Sequence, residues 1–124
     1  MIVLYGIANC DTVKKARAWL TARGVAHRFH DFKRAGVPAE ALTTWLDAVG
    51  RDRLINRQGT TWRKLDAVTQ SGVVDDASAM ALLLAQPSLI KRPVAQWTNA
   101  ITVGFATDAW AQRLADPPES LNPP

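Results

Sequence analysis

The stretch Ile2-Val3-Leu4-Tyr5-Gly6-Ile7-Ala8-Asn9-Cys10-Asp11-Thr12-Val13-Lys14-Lys15-Ala16 decides how this chain folds. Its first four residues form a short, largely β-branched apolar run, the pattern of a central strand buried on both faces. Gly6 ends the run and opens a loop. From Asp11 onward, Val13, Ala16 and Leu20 recur at helical spacing with charges between them, and Gly24 offers a C-terminal cap. The spacing therefore predicts a helix beginning near Cys10. Residues 25–32 then alternate, with Val25, His27, Phe29 and Asp31 on one face and Ala26, Arg28, His30 and Phe32 on the other. A strand-helix-strand unit opens the chain.

Outward from that unit the pattern turns helical. Pro38 suits a first helical turn, and Ala41, Leu42, Trp45, Leu46 and Val49 repeat at helical spacing as far as Gly50. Residues 54–65 mix short apolar pairs with the turn signal Gly59-Thr60, predicting short helical pieces around a loop. Asp75-Asp76 are capping residues for an Ala-, Leu- and Met-rich helix over 77–86, which Pro87 terminates. Two short strands follow, one after Lys91-Arg92 at Pro93-Val94 and one within the run 101–105, joined through residues 96–100. Thr107 caps a last helix carrying Trp110 and Leu114. The order β-α-β, helical insertion, β-β-α belongs to the α/β or α+β architectures and is compatible with a thioredoxin-like sheet. One domain over residues 1–115 is expected, with the insertion at about 36–87 and a proline-rich, disordered tail over 116–124.

With 124 residues, 48% of them hydrophobic, the chain can bury a single core. No apolar stretch is long enough for a membrane span and no basic leader opens the sequence, so a cytoplasmic protein is expected. One cysteine cannot form an internal disulfide, and with only His27 and His30 beside it a zinc site lacks ligands; no metal is expected. The net charge of +4 is unevenly spread: residues 1–64 hold twelve Lys and Arg against five Asp and Glu, and residues 65–124 hold three against six. The positive half is the half that carries Cys10, which fits either a solvated basic surface or an anionic ligand. No nucleic-acid recognition motif accompanies it.

Cys10 is the first candidate for chemistry. At a helix N-terminus unpaired backbone N–H groups and the helix dipole favour an anion, and Lys14 and Lys15 add positive potential, so a thiol there is expected to ionise more readily. The competing reading is a small buried hydrophobe. The same N–H groups make residues 9–14 a prospective cradle for phosphate, arsenate or carboxylate, to which Thr12 offers a hydroxyl or merely a local cap. Arg92-Pro93 is the second candidate: the proline suits a tight turn, and the arginine offers a bidentate grip on oxyanions. His27 and His30 fall on opposite strand faces and cannot share a ligand. The five tryptophans read as core, with Trp62 among Arg57, Arg63 and Lys64 as the exception.

Three segments in order, Tyr5-Gly6-Ile7-Ala8-Asn9-Cys10-Asp11-Thr12-Val13-Lys14-Lys15-Ala16, Arg57-Gln58-Gly59-Thr60-Thr61-Trp62-Arg63-Lys64-Leu65 and Leu89-Ile90-Lys91-Arg92-Pro93, resemble the ArsC/Spx family, and within it the YffB-like branch. The resemblance spans Met1 to about Leu114. It implies a thioredoxin-like fold with a helical insertion, a catalytic Cys10 assisted by Arg92, and a cis-proline at Pro93. Asn9, Asp11, Thr12, Val13, Lys14, Arg57 and Pro93 become the implied substrate-binding positions. In the family's arsenate reductases the thiolate attacks the oxyanion, three arginines steady it, and glutathione with glutaredoxin restores the thiol. Only Arg92 carries over cleanly; Asn56, followed by Arg57, stands where the second arginine would fall, and Gly104-Phe105-Ala106 where the third would. Two missing charges are expected to weaken oxyanion stabilisation by several kcal/mol, at roughly 3 to 4 each.

The resemblance thus implies a glutathione-dependent thiol–disulfide oxidoreductase with one cysteine nucleophile. Val13 stands where a C-x-x-C motif would place its resolving thiol, so glutathione or a partner protein such as glutaredoxin must close the cycle. The alternatives are a glutathione- and glutaredoxin-coupled arsenate reductase, and a regulator of the Spx kind that binds RNA polymerase but lacks the second cysteine of the usual disulfide switch. A monomer with no bound cofactor is expected.

Overall fold

The computed structural model describes residues 1–115. β1 (Ile2–Gly6) is the central strand that its apolar run predicts, pairing on both sides. On one side β2 (His27–Asp31) runs parallel to it, with Ile2 opposite His27 and Leu4 opposite Phe29. On the other, β3 (Val94–Gln96) is antiparallel, with Tyr5 opposite Val94, and β4 (Ile101–Val103) pairs antiparallel with β3. The sheet order is β2-β1-β3-β4.

Parallel β1 and β2 require a crossover, which α1 (Asp11–Ala22) supplies by burying Val13, Ala16 and Leu20 against the sheet. The helix closes as Gly24, at φ +69°, donates to the Thr21 carbonyl at 3.0 Å. α8 (Thr107–Ala115) covers the same sheet face. Its Trp110 meets Phe105 at 4.7 Å, Trp97 at 5.0 Å and Trp19 of α1 at 5.9 Å, all edge-on, over a core of Ile2, Leu4, Ala16, Leu20 and Ala95. Trp97 satisfies its indole N–H on Thr102 Oγ1 at 2.8 Å.

The opposite face is covered by the insertion: α2 (Phe32–Ala35), α3 (Ala39–Val49), α4 (Arg51–Leu54), α5 (Thr60–Arg63), α6 (Ala67–Ser71), α7 (Asp76–Ala85) and a 3-10 turn at Pro87–Leu89. Leu42, Trp45 and Leu46 of α3 pack with Ala79 and Leu83 of α7, Leu54, Leu89 and the sheet residues Tyr5 and Val94. Asp75 caps α7 through a reciprocal box with Ser78. Arg51 ties α4 to α7 by reaching Asp76 at 3.3 Å and the Val74 carbonyl at 3.0 Å.

This is the expected α/β, thioredoxin-like order, with differences at the edges of elements. β2 is shorter than the alternation suggests: the Val25 N–H is drawn to the Leu20 carbonyl at 3.0 Å, and the Asp31 carboxylate accepts the Lys33 N–H at 3.0 Å to start α2. Pro38 is the N-cap of α3 rather than its first turn. α6, capped by Asp66 on the Thr69 N–H at 2.7 Å, is an element that no apolar periodicity predicts. The prospective tail over 116–124 lies outside the described residues. No helix among those described is long and apolar enough to cross a membrane.

Candidate functional site

Cys10 is the N-cap residue of α1, with extended backbone angles of φ −112° and ψ 125°. Its carbonyl accepts the Lys14 N–H at 2.9 Å, the first helical bond, while its side chain makes no capping bond. The thiol is half-buried and lines a cavity of about 600 Å³ where β1 and β4 end and β3 begins. Thr12 joins it from α1; Arg53 and Asn56 come from the insertion, Lys91 and Arg92 from the segment entering β3, and Ala109, Trp110 and Arg113 from α8. Residues 102–106 complete the wall.

Local folding explains why these groups meet. Ile55 and Ile90 form an isolated antiparallel bridge, with the Asn56 N–H on the Leu89 carbonyl and the Lys91 N–H on the Leu54 carbonyl, both at 2.7 Å. That bridge draws the end of α4, with Arg53 and Asn56, beside Lys91-Arg92. The Arg92–Pro93 peptide is cis, Pro93 is buried, and its carbonyl accepts the Gly104 N–H at 2.9 Å. Gly104 leaves β4 at φ +81°, and a Cβ there would stand 3.4 Å from Lys91 Cε.

Arg53, Lys91, Arg92 and Arg113 thus share one cavity, to whose lining the described residues contribute no Asp or Glu. The ion pairs among the described residues, Arg51–Asp76 and Arg57–Asp52, involve none of the four. Three cations besides Arg92 therefore reach the cavity although Asn56 and Gly104-Phe105-Ala106 stand where arginines would be expected: Arg53 from α4, Lys91 beside Arg92, and Arg113 from α8. Arg57 is displaced from the site: it pairs with Asp52 at 3.1 Å and its guanidinium lies 5.3 Å from the Trp62 ring centre.

Cys10, Thr12 and Arg92 line the cavity, and Pro93 is buried beside Arg92. The other implied positions do not line it. Asn9 and Asp11 are exposed, Val13 is wholly buried beneath Gly6, and Lys14 borders an open groove with Arg17, Thr21 and His27. His27 and His30 do face opposite ways: His30 meets the Tyr5 ring at 5.1 Å on the insertion side. Among the described residues no cluster of three or more metal-ligating side chains forms.

Residues 5–113 match the ArsC family. The chain belongs to the ArsC family. The solved YFFB (PA3664) protein is 48% identical, with 92% of this chain and 99% of that one covered, at a TM-score of 0.86. The solved arsenate reductase (ArsC) related protein from Brucella melitensis is 46% identical, covering 91% of this chain and 93% of its own, at a TM-score of 0.73. A global transcriptional regulator Spx from Streptococcus pyogenes is 26% identical over 110 residues, 87% of this chain and 81% of the regulator. Within this ArsC-family fold, sequence reading missed Arg53, Lys91, Arg113, Phe105 and Trp110 as cavity residues. The available signals were adjacency for Lys91, one helical turn from Asn56 for Arg53, and the i, i+3 spacing of Trp110 and Arg113.

Proposed function

We propose that this chain is a glutathione-dependent thiol–disulfide oxidoreductase in which Cys10 is the nucleophile. The observation that supports this reading is the meeting of the chain's one cysteine with four cations that have no ion-pair partner among the described residues, in a single cavity to whose lining those residues contribute no Asp or Glu. The Cys10 thiolate attacks the glutathionyl sulfur of a mixed disulfide. A Cys10–glutathione disulfide forms, the substrate S–S bond breaks, and the substrate leaves as a thiolate that takes a proton from solvent. A second glutathione thiolate then attacks the glutathionyl sulfur on Cys10, releasing glutathione disulfide and restoring the Cys10 thiolate. Net, one mixed disulfide and one glutathione become one substrate thiol and one glutathione disulfide, so electrons balance without a bound cofactor. Arg92 holds a carboxylate of the tripeptide, and the N-terminal N–H groups of α1 stabilise the sulfur anion.

The test is turnover of the mixed disulfide of glutathione and 2-hydroxyethanethiol, coupled to glutathione reductase, with the covalent intermediate sought by mass spectrometry. Wild type should turn over and carry one glutathione on Cys10, and Cys10→Ser should do neither. Equal rates in the two proteins would overturn the reading.

Cys10 and Arg92 in one cavity with Arg53 and Lys91 favour a second reading, reduction of a tetrahedral oxyanion such as arsenate by the same thiolate, with glutathione as reductant. It predicts arsenate-dependent oxidation of glutathione in the presence of glutaredoxin that vanishes in Cys10→Ser and in Arg92→Ala.

A further inference from the structure

The cavity is larger than a nucleophile and one small anion require. Its volume of about 600 Å³ is in the range of clefts that enclose drug-sized ligands. Its cations also enter from different layers. Arg53 comes from the insertion, whose core packs on the Tyr5 and Val94 side of the sheet; Arg113 comes from α8, whose core packs on the Leu4 and Ala95 side. The sheet's end lies between them, with Cys10 and Arg92.

Arg113 has a defined setting. It is half-buried, its guanidinium lies 5.4 Å from the Trp97 ring centre, and no carboxylate among the described residues pairs with it. Trp110 and Phe105, themselves 4.7 Å apart, form an apolar wall beside it. A guanidinium held over an indole keeps its fork free for a planar oxyanion, which it grips in bidentate fashion.

We infer that the cavity is a two-ended site for a peptide thiol with a carboxylate at each end, in which Arg113 on α8 is the specificity-determining anchor for the carboxylate remote from Arg92 and Arg53. This rests on the proposed glutathione chemistry and deepens it: glutathione carries one carboxylate on its γ-glutamyl residue and one on its glycine, with the cysteine thiol between. A lone tetrahedral anion at Cys10 would make no demand on a cation in the α8 layer. Arg113 is a binding residue, so its loss acts on affinity and leaves the sulfur chemistry in place.

The experiment measures binding of S-methylglutathione and of its dimethyl ester by calorimetry, in a Cys10→Ser background so that no covalent step intervenes. The parent should bind the acid and bind the ester weakly. Arg113→Gln keeps a long polar stem over Trp97 but removes the charge; it should weaken the acid ~10-fold or more while leaving the ester unchanged, and Arg113→Lys should recover part of the loss. Arg34→Ala, an exposed charge on α2, should change neither. No binding of the acid by the parent, equal binding of the acid by Arg113→Gln, or equal losses for acid and ester would each overturn the inference.

Turnover of the glutathionyl mixed disulfide is measured separately with Cys10 intact. There Arg113→Gln should raise KM ~10-fold with kcat within about twofold of wild type. The binding pattern without turnover would sustain the anchor and refute the proposed reaction. Turnover without any dependence on Arg113 would refute the anchor alone.

Discussion

Gly6 is where strand, helix and site come closest, and Gly6→Ala tests that closeness. A Cβ on Gly6 would stand 2.9 Å from Val13 Cγ2 and 3.8 Å from Cβ and Cγ of Arg92. Non-bonded carbons are at their optimum near 3.5 to 4.0 Å, so the Arg92 contacts are ordinary and the Val13 contact must open by roughly 0.6 Å or more. Val13 cannot swing aside, because it is fully buried and a β-branched residue in a helix is held to one χ1 rotamer. The first turn of α1 must shift instead. Overpacking of this kind costs about 1 to 3 kcal/mol, and at 4–8 °C per kcal/mol the melting temperature should fall by on the order of 10 °C. Cys10 stands at the N-cap position of that same turn, so kcat/KM for the mixed disulfide should fall with it. The assay is urea denaturation of Gly6→Ala, Val13→Ala and the double variant. Val13→Ala alone should cost about 2 kcal/mol in lost burial and cavity, yet it removes the colliding methyl. The double variant should therefore lose at least ~1 kcal/mol less than the sum of the singles. Additivity within ~0.5 kcal/mol, or a Gly6→Ala protein as stable as wild type, would refute the reasoning.

Arg53→Ala should raise KM for the glutathionyl mixed disulfide ~10-fold, whereas Arg57→Ala, whose partners Asp52 and Trp62 lie outside the cavity lining, should change it less than about twofold in steady-state kinetics. Leu83→Ala, in the seam between α7 and α3, should cost about 2 to 5 kcal/mol in denaturant titration, and a loss under ~1 kcal/mol would mean that this seam is not a packed core. Asp75 is held below the ordinary carboxylate range by the backbone N–H and then the hydroxyl of Ser78. A carboxyl whose folded pKa is lowered stabilises the fold above its unfolded pKa and loses that contribution as pH falls through the folded value. Asp75→Ala should thus lower the melting temperature at neutral pH, and the gap to wild type should shrink below about pH 4; a gap constant down to pH 2 would sink this assignment.

The opening unit was legible because two unambiguous periods meet there: an apolar run that only a central strand accommodates, and Val13, Ala16 and Leu20 at helical spacing behind a loop. Their junction places Cys10 at the helix terminus without tertiary information. The longer insertion helices were legible for the same reason, through Leu42, Trp45 and Leu46 in α3 and the Asp75 cap of α7. α6 was not, since Ala67–Ser71 buries no residue and leaves Val68 82% exposed, so no apolar period marks it. Arg57 misled because adjacency to Asn56 was the only spacing the sequence offered. The Ile55–Ile90 bridge instead fixes which side of the chain faces Cys10, and that pairing of residues 35 positions apart has no local signature.

Charge makes the same point at the scale of the whole chain. By residue count the positive potential lies in the first half, with twelve cations, the half that also carries Cys10, which fits either a solvated basic surface or an anionic ligand. Of those twelve only Arg53 lines the cavity, while the acidic second half sends all three of its cations, Lys91, Arg92 and Arg113, to it. Like charges drawn into one cleft repel one another, and that repulsion works against folding stability. An anion in the cleft offsets that repulsion, and binding to the folded state alone stabilises it in proportion to the logarithm of ligand concentration over Kd. A chain that was merely basic would scatter its cations over solvated surface, as the first half does. The second half, sparing in cations and acidic on balance, confines them to the cysteine's cavity, which is the distribution expected when the charges serve a bound anion rather than solubility.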